Sequence, residues 1–408
     1  MKITRRTFIT QAGVVAVGFG VGSSPFVLRA AEGAATGNSV VVFVLLRGGV
    51  DGMAICAPYG DAEYYKVRPS IALPKPRTAG ADSLIDLDGY FGLHPAFAPL
   101  ERVFRDGQLA IVHAAGSRAM SRSHFDAQEF LETGTPGVRT PNGWMERCLE
   151  RIPGSDVTQG VSFTPLRPRA FLGAEPVFVT ENLSHFDLAA DGWKQEAEVL
   201  LREMYHGNAG GVIEAGRNAF GTLDVIRKSP AIGAPPANGA QYPVTRFGQA
   251  LKQASQVIKA DVGTRCIFVG VESSFDTHSN QLPSNAEDFT NLATSLAAFH
   301  RDLGRVNERV VVVVASEFGR TFAEDGSRGT DHGTGGAILL MGGRVRGARV
   351  AGRWPGVVKS NLFEERDLDV TTDFRDIFLE IAVKHLRLPD PQSLFPGHGT
   401  FSDGGFLT

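Results

Sequence analysis

The stretch SEFGRTFAEDGSRGTDHG, residues 316–333, follows directly on the apolar run RVVVVVA at 309–315. A buried strand that empties into Glu317, Arg320, Thr321, Asp331 and His332 sets carboxylate, guanidinium and imidazole groups at the mouth of a hydrophobic element. Such groups ligate metal ions, move protons or grip anions. The juxtaposition recurs along the chain. RGGVDG, with Asp51, follows the apolar block near 39–46, and SRAMSRSHFDAQEF, with Ser121, Ser123 and His124, follows the block at 108–116. ESSFDTHSNQ, with Asp276 and His278, follows the block at 264–272, and GTDHG, with His332, precedes the one at 336–343.

Each residue also has a local role open to it. Asp51 can shape its glycine-rich turn, and Ser123 in the Ser-x-x-Asp pattern can cap a helix. Asp276 and His278 fit an Asx-turn and a surface histidine, Glu317 can pair with Arg320, and His332 can be a satisfied loop histidine. Taken together, carboxylates and imidazoles from distant parts of the chain recur beside strand ends, which local propensity does not explain. Mixed oxygen and nitrogen donors without thiolates suit zinc, manganese or magnesium rather than a cysteine-bound structural zinc. Cys56, Cys148 and Cys266 are widely spaced and form neither a CxxC pair nor an even-numbered disulfide framework.

The elements that must position these groups are legible in the apolar pattern. SVVVFVLLRGG (39–49), QLAIVHAAG (108–116), TRCIFVGVE (264–272), RVVVVVASE (309–317) and GAILLMGG (336–343) are nearly continuous in β-branched and aliphatic residues. Continuous rather than alternating apolarity marks strands buried on both faces. Helical patterns lie between them at about 123–133, 190–206, 211–228, 245–260, 285–305 and 373–386. Strands alternating with helices predict an α/β fold, a doubly wound and mostly parallel sheet between helix layers. Open sheets of this kind bind ligands at the carboxyl ends of their strands, where the candidate residues cluster. The breaker SPAIGAPPANGAQYP (229–243) reads as an exposed loop, and 134–180 as a loop-rich excursion over one sheet edge.

Composition bounds the rest. With 43% hydrophobic and 21% charged residues over 408 positions, the chain can bury a sizeable core. A formal net charge of −3 without clustered Lys/Arg excludes a nucleic-acid footprint. The N-terminus has a basic start, a weakly apolar stretch at 12–28 and small residues at 30–35, the layout of an export signal. TRRTFI (4–9) resembles the twin-arginine signal, so the expectation is a signal peptide over 1–35, export of a folded protein by the twin-arginine machinery to the periplasm or beyond, and one domain over 36–408. No later run approaches the ~18 apolar residues of a membrane span.

FVLLRGGVDGM, SRSHFDAQEFLETG, GWMERCL, ASEFGRT and GTDHGTGGAILLMGG resemble the DUF1501 family of exported proteins, which is similar in fold to the alkaline phosphatase and sulfatase superfamily. The resemblance implies one or two divalent ions, zinc or manganese, with Asp51 as a first ligand, Ser123 as nucleophile, Asp276 and His278 as a ligand pair and His332 as a late ligand. Glu317-Phe318 stands where an Asp-His pair is implied, which removes an imidazole and leaves Glu317, His124 or Asp331 to replace it. The implied chemistry is metal-assisted hydrolysis of a phosphate or sulfate ester, with Arg320 as oxyanion clamp. A non-catalytic exported protein that keeps the fold for binding or assembly is the alternative. A metal-free serine hydrolase is disfavoured by the lack of a G-x-S-x-G elbow.

Overall fold

The computed structural model describes residues 38–119, 121–154, 157–187, 193–206, 211–272, 275–399 and 401–408. The signal expected over 1–35 lies outside them.

The apolar blocks become a nine-stranded sheet: β1 (Val40–Arg47), β2 (Leu109–Gly116), β3 (Gly160–Phe163), β4 (Phe178–Val179), β5 (Cys266–Glu272), β6 (Val310–Ser316), β7 (Gly336–Met341), β8 (Arg349–Ala351) and β9 (Thr372–Asp373). The spatial order is β8-β2-β7-β6-β1-β5-β3-β4, with β9 also paired to β2. Every pairing is parallel except those of β7, which runs against both β2 and β6. A small three-stranded sheet, Cys56–Ala57, Gly92–Leu93 and Ile85–Asp86, sits apart from it.

Helices cover both faces, which is why β1 is apolar without alternation. Val40, Val42, Val44 and Leu46 share one core with α1 (Ala98–Arg105), α6 (Arg246–Ala260) and α7 (Gln281–Leu303). Val41, Phe43 and Leu45 share the other with α2 (His124–Thr133), α3 (Trp144–Leu149) and α8 (Phe374–Glu380). Phe43 meets Trp144, Phe268 and Phe378 edge-on, with centroids 5.5–5.6 Å apart. Burying a ring of this size contributes about 1.5–3 kcal/mol. Two further helices, α4 (Lys194–Met204) and α5 (Gly211–Lys228), pack on each other.

Residues 134–180, expected to be loop-rich, contain α3 and strands β3 and β4, which extend the sheet beyond β5. Their strands are too short for a periodic signal. The five expected strands and six expected helices match observed ones closely, α1, β8, β9 and the small sheet were not anticipated, and the alternating, mostly parallel architecture is as expected.

Topology decides what meets at the rim. β1, β5 and β6 run side by side, with Leu46 opposite Ser316 and Arg47 opposite Glu272, so their carboxyl ends lie level. The reversed strand β7 starts at that same rim, with Gly336 opposite Ala115 near the end of β2. Loops 48–51, 117–119 with 121–123, 275–280 and 317–335 therefore crowd one edge of the sheet. Among the described residues no helix is long and apolar enough to cross a membrane.

Candidate functional site

Three imidazoles and one carboxylate converge at this rim. His332 Nε2 lies 3.1 Å from His124 Nε2, 3.0 Å from His278 Nε2 and 3.1 Å from Asp276 Oδ1. His278 Nε2 lies 3.0 Å from Asp276 Oδ1, and His124 Nε2 lies 3.3 Å from Asp276 Oδ2. One ligand atom each from His124, Asp276 and His332 fit within 4.8 Å of one another.

The opposite ring nitrogens fix the protons. His124 Nδ1 is 2.7 Å from Glu317 Oε1, His278 Nδ1 is 3.1 Å from Asp331 Oδ1, and His332 Nδ1 is 2.7 Å from the Arg122 carbonyl. A carboxylate or carbonyl oxygen accepts, so each Nδ1 carries the hydrogen and donates. In the neutral ring the lone pair then sits on Nε2. Three such lone pairs and a carboxylate facing one another near 3 Å repel unless a cation or shared protons lie among them. Imidazoles with Nδ1–H held by an acceptor and Nε2 free are the usual form of metal-ligating histidine. The donor set therefore fits a divalent ion.

Local devices hold these side chains in place. His124 opens α2, and the ring of Phe318 lies against both His124 and His332, with centroids 4.8 and 4.9 Å apart. Phe318 is thus the wall that orients two imidazoles. His332 is placed by pairing of 319–321 with 331–334, through Gly333 N–H to Gly319 O at 2.8 Å and Thr321 N–H to Asp331 O at 2.9 Å. The 277–281 segment is tied to the 327–330 loop by Thr330 N–H to Thr277 O and Gln281 N–H to Arg328 O. Gly48 and Gly49 take positive φ of 120° and 63°, and a Cβ on Gly49 would strike the Phe318 ring at 2.2 Å.

The carboxylates divide into roles. Burial pushes the Asp276 carboxyl up, but the hydrogen bond and charge of Arg320 outweigh it and hold the group at about 2. Asp276 is therefore ionised at any ordinary pH. Glu317 is buried; desolvation raises its pKa, but bonds from His124, the Gly48 N–H and Gln128 bring it below the usual range. Its contact is with Nδ1 of His124, the side away from the convergent Nε2 atoms. In turn Glu317 raises the pKa of His124, against the opposing effect of burial.

Two expected site residues are engaged elsewhere. The Asp51 carboxylate pairs with the buried Arg68, accepts from Gln281 Nε2 at 2.6 Å and caps its helix through the Met53 N–H at 3.1 Å. Arg320, expected as an oxyanion clamp, is buried and donates to Gly49 O, Thr330 O, Gly48 O, Phe275 O and Asp276. With every nitrogen of the guanidinium engaged, Arg320 staples three rim loops and faces no open space. Ser123 is the N-cap residue of α2, yet its hydroxyl makes no capping bond. The expected cap is absent, and Ser121 Oγ instead accepts the Ser123 N–H at 3.0 Å.

Sequence reasoning missed Arg68, Gln281, Gln128 and the Arg122 carbonyl as supports. Gln128, one helical turn after His124 and donating to Glu317 at 3.1 Å, carries an i,i+4 signal that could have been read. Arg68 and Gln281 carry none, because their partners lie far off in the chain.

A family model described as a protein of unknown function (DUF1501) matches residues 227–394. No curated protein matches the chain. Among solved structures, the PsFucS1 sulfatase from Pseudoalteromonas sp. is similar at 11% identity and a TM-score of 0.40, over 91% of this chain and 72% of that one. The C-terminal periplasmic domain of EcEptC from Escherichia coli, in complex with Zn, is similar at 10% identity and a TM-score of 0.32, over 75% of this chain and 74% of that one. Alkaline phosphatase from the Antarctic bacterium TAB5 is similar at 8% identity and a TM-score of 0.26, over 74% and 90%.

Proposed function

We propose that the chain is an exported, metal-dependent hydrolase of phosphate or sulfate esters. The observation that carries the reading is the set of three Nε2 lone pairs and one carboxylate turned on a common point, each imidazole locked by an acceptor at Nδ1. In this reading His124, Asp276, His278 and His332 hold the ion, while Glu317 and Asp331 orient His124 and His278. Three nitrogens and one oxygen suit zinc or manganese. When bound, such an ion supplies Lewis acidity toward an anionic ester oxygen.

The remaining work belongs to the chain. Ser123 precedes His124, and its hydroxyl has no hydrogen-bond partner among the described residues, so it is available as a nucleophile. Attack by its oxygen on phosphorus or sulfur breaks the bond to the ester oxygen, and the proton given up by the serine hydroxyl is passed through water to that oxygen, which leaves as the alcohol. A water molecule then hydrolyses the seryl ester. The free N–H groups at the start of α2 favour an anion beside Ser123. Asp51 has a supporting place: its pairing with Arg68 and Gln281 ties the 277–281 segment to the first rim loop.

Elemental analysis of protein purified without chelator, followed by turnover on a panel of phosphate and sulfate esters, tests the reading. Bound zinc or manganese with turnover supports it, and absence of any transition metal overturns it. The engagement of Arg320 and of Arg122, which pairs with Asp367 and Glu364, leaves neither guanidinium free to clamp an oxyanion and favours a second reading, a non-catalytic exported protein that keeps the fold for binding or assembly. Metal without turnover on any ester selects that one. Export is tested by replacing Arg5 and Arg6 with Lys: the twin-arginine reading expects loss of export, and wild-type periplasmic accumulation of that variant overturns it.

A further inference from the structure

A cleft of about 370 Å³ opens beside the imidazoles, within the range of small-molecule sites. One wall is the face of α2 that carries Phe125, Gln128, Glu129 and Glu132, spaced at helical turns. The other includes Leu166, Arg169 and, at the end of β1, Arg47. The cleft adjoins the candidate metal centre through two residues: Phe125 follows His124, and Gln128 donates to the same Glu317 oxygen that holds His124.

The lining is unusual in two respects. Phe125 is 88% exposed and Leu166 78% exposed, so two large apolar side chains stand in water at its lip. Its guanidinium groups already hold carboxylate partners: Arg47 with Glu132 at 3.5 Å, Arg169 with Glu129 at 3.2 Å, Arg167 with Glu146 at 3.2 Å, and Arg246 with Glu181. An anionic body would have to compete with those carboxylates. A wholly apolar body would strand guanidinium and carboxylate groups without water, at a cost in each unsatisfied group. A ligand with many hydroxyls avoids both penalties, donating to carboxylates and accepting from guanidinium N–H groups while one C–H face lies on an aromatic ring.

We propose that this cleft binds the polyhydroxylated, sugar-like body of the ester, with Phe125 as its platform and the Arg169–Glu129 and Arg47–Glu132 pairs as its hydroxyl readers. The inference rests on the ester-hydrolase reading only for the charged end of the ligand. Calorimetric titration of the full chain with a panel of neutral disaccharides built on glucose, galactose and mannose tests the cleft alone, because those probes carry no anion for a metal. The expected result is millimolar binding to at least one member, retained after chelator treatment and weakened at least about tenfold by Phe125→Ala or Arg169→Ala. Phe125 is exposed, so its variant is expected to keep the wild-type melting temperature. No binding across the panel, binding indifferent to both substitutions, or equal Phe125-dependent binding of a simple aryl alcohol overturns the proposal. A protein without metal that still binds a disaccharide separates failure of the hydrolase reading from failure of this one.

Discussion

Six histidines occupy two regions and are wired in opposite senses. In the core, His94 and His113 accept backbone N–H groups at Nδ1, from Ala96 and Ala114, and His113 donates through Nε2 to the Cys56 carbonyl at 2.8 Å. His385 donates through Nε2 to the Val40 carbonyl at 3.0 Å. At the rim, His124, His278 and His332 donate through Nδ1 to acceptors and leave Nε2 bare. The core arrangement turns ring nitrogens to backbone groups, on both sides in His113 and on one side in His94 and His385, where Nδ1 of His385 stays buried without a partner. The rim arrangement leaves a set of lone pairs that is stable only around a positive charge. What a histidine does is thus decided by the partner on its second nitrogen, not by the residue itself.

The largest expected effect tests the core side. Burial lowers His94, His113 and His385 to about 4, from about 6.5 in an unfolded chain. Between those values the unfolded state binds more protons than the folded one, so stability rises with pH and is lost as pH falls. It is fully present above pH ~6.5 and lost by pH ~4, at roughly 3 kcal/mol for each imidazole as an upper estimate. Urea unfolding of metal-free protein at a series of pH values is expected to report uptake of up to about three protons. A flat profile from pH 7 to 4 would mean that these rings are not held neutral.

The rim side breaks with His332→Ala. His332 Nε2 touches the other two imidazoles and Asp276, so its loss opens the set at its centre. Metal affinity is expected to fall by more than the ~100-fold seen for loss of a supporting group, while the urea midpoint of the metal-free protein stays near wild type. Unchanged metal content in this variant would place the centre elsewhere. A smaller effect is expected of Glu317→Gln. That change keeps the shape but removes the charge that holds the His124 Nδ1–H, and a ~10–100-fold loss of affinity follows if Glu317 orients rather than ligates. Competition with a fluorescent chelator separates the two magnitudes.

The same contrast explains what was legible in the sequence. β1 and β6 announce themselves because both faces are buried, and β7 does as well, though its apolar run does not say that it lies antiparallel. Rim residues could be gathered because each follows or precedes an apolar block. Their bonding could not be read, because most of it depends on partners that no local spacing rule connects, from 17 residues away for Asp51 and Arg68 to 230 for Asp51 and Gln281. Asp51 and Asp276 look alike as strand-end aspartates. One has Arg68, Gln281 and a helix N-terminus on its carboxylate, and the other has Arg320 and three imidazoles. His124 was legible as one of the groups that could replace the missing imidazole, but its place opposite His332 comes from the start of α2 lying over Phe318.

The smallest expected stability effect belongs to Ser123→Ala, and its smallness is informative. A serine at a helix start whose hydroxyl accepts a first-turn N–H contributes on the order of 1 kcal/mol. Ser123 has the N-cap backbone, with φ −89° and ψ 123°, but makes no such bond. Its replacement is therefore expected to change stability by less than about 0.5 kcal/mol, as for a surface position away from special features. The hydroxyl sits at the residue before His124, so the same substitution is expected to remove most ester turnover while metal content stays at the wild-type level. Ser121→Ala sharpens the point. Ser121 Oγ accepts the Ser123 N–H, so that variant should loosen the loop and reduce turnover only modestly. A Ser123→Ala protein that loses a full ~1 kcal/mol and keeps its turnover would return Ser123 to the role of an ordinary cap. The rim would then be a metal centre without a nucleophile of its own.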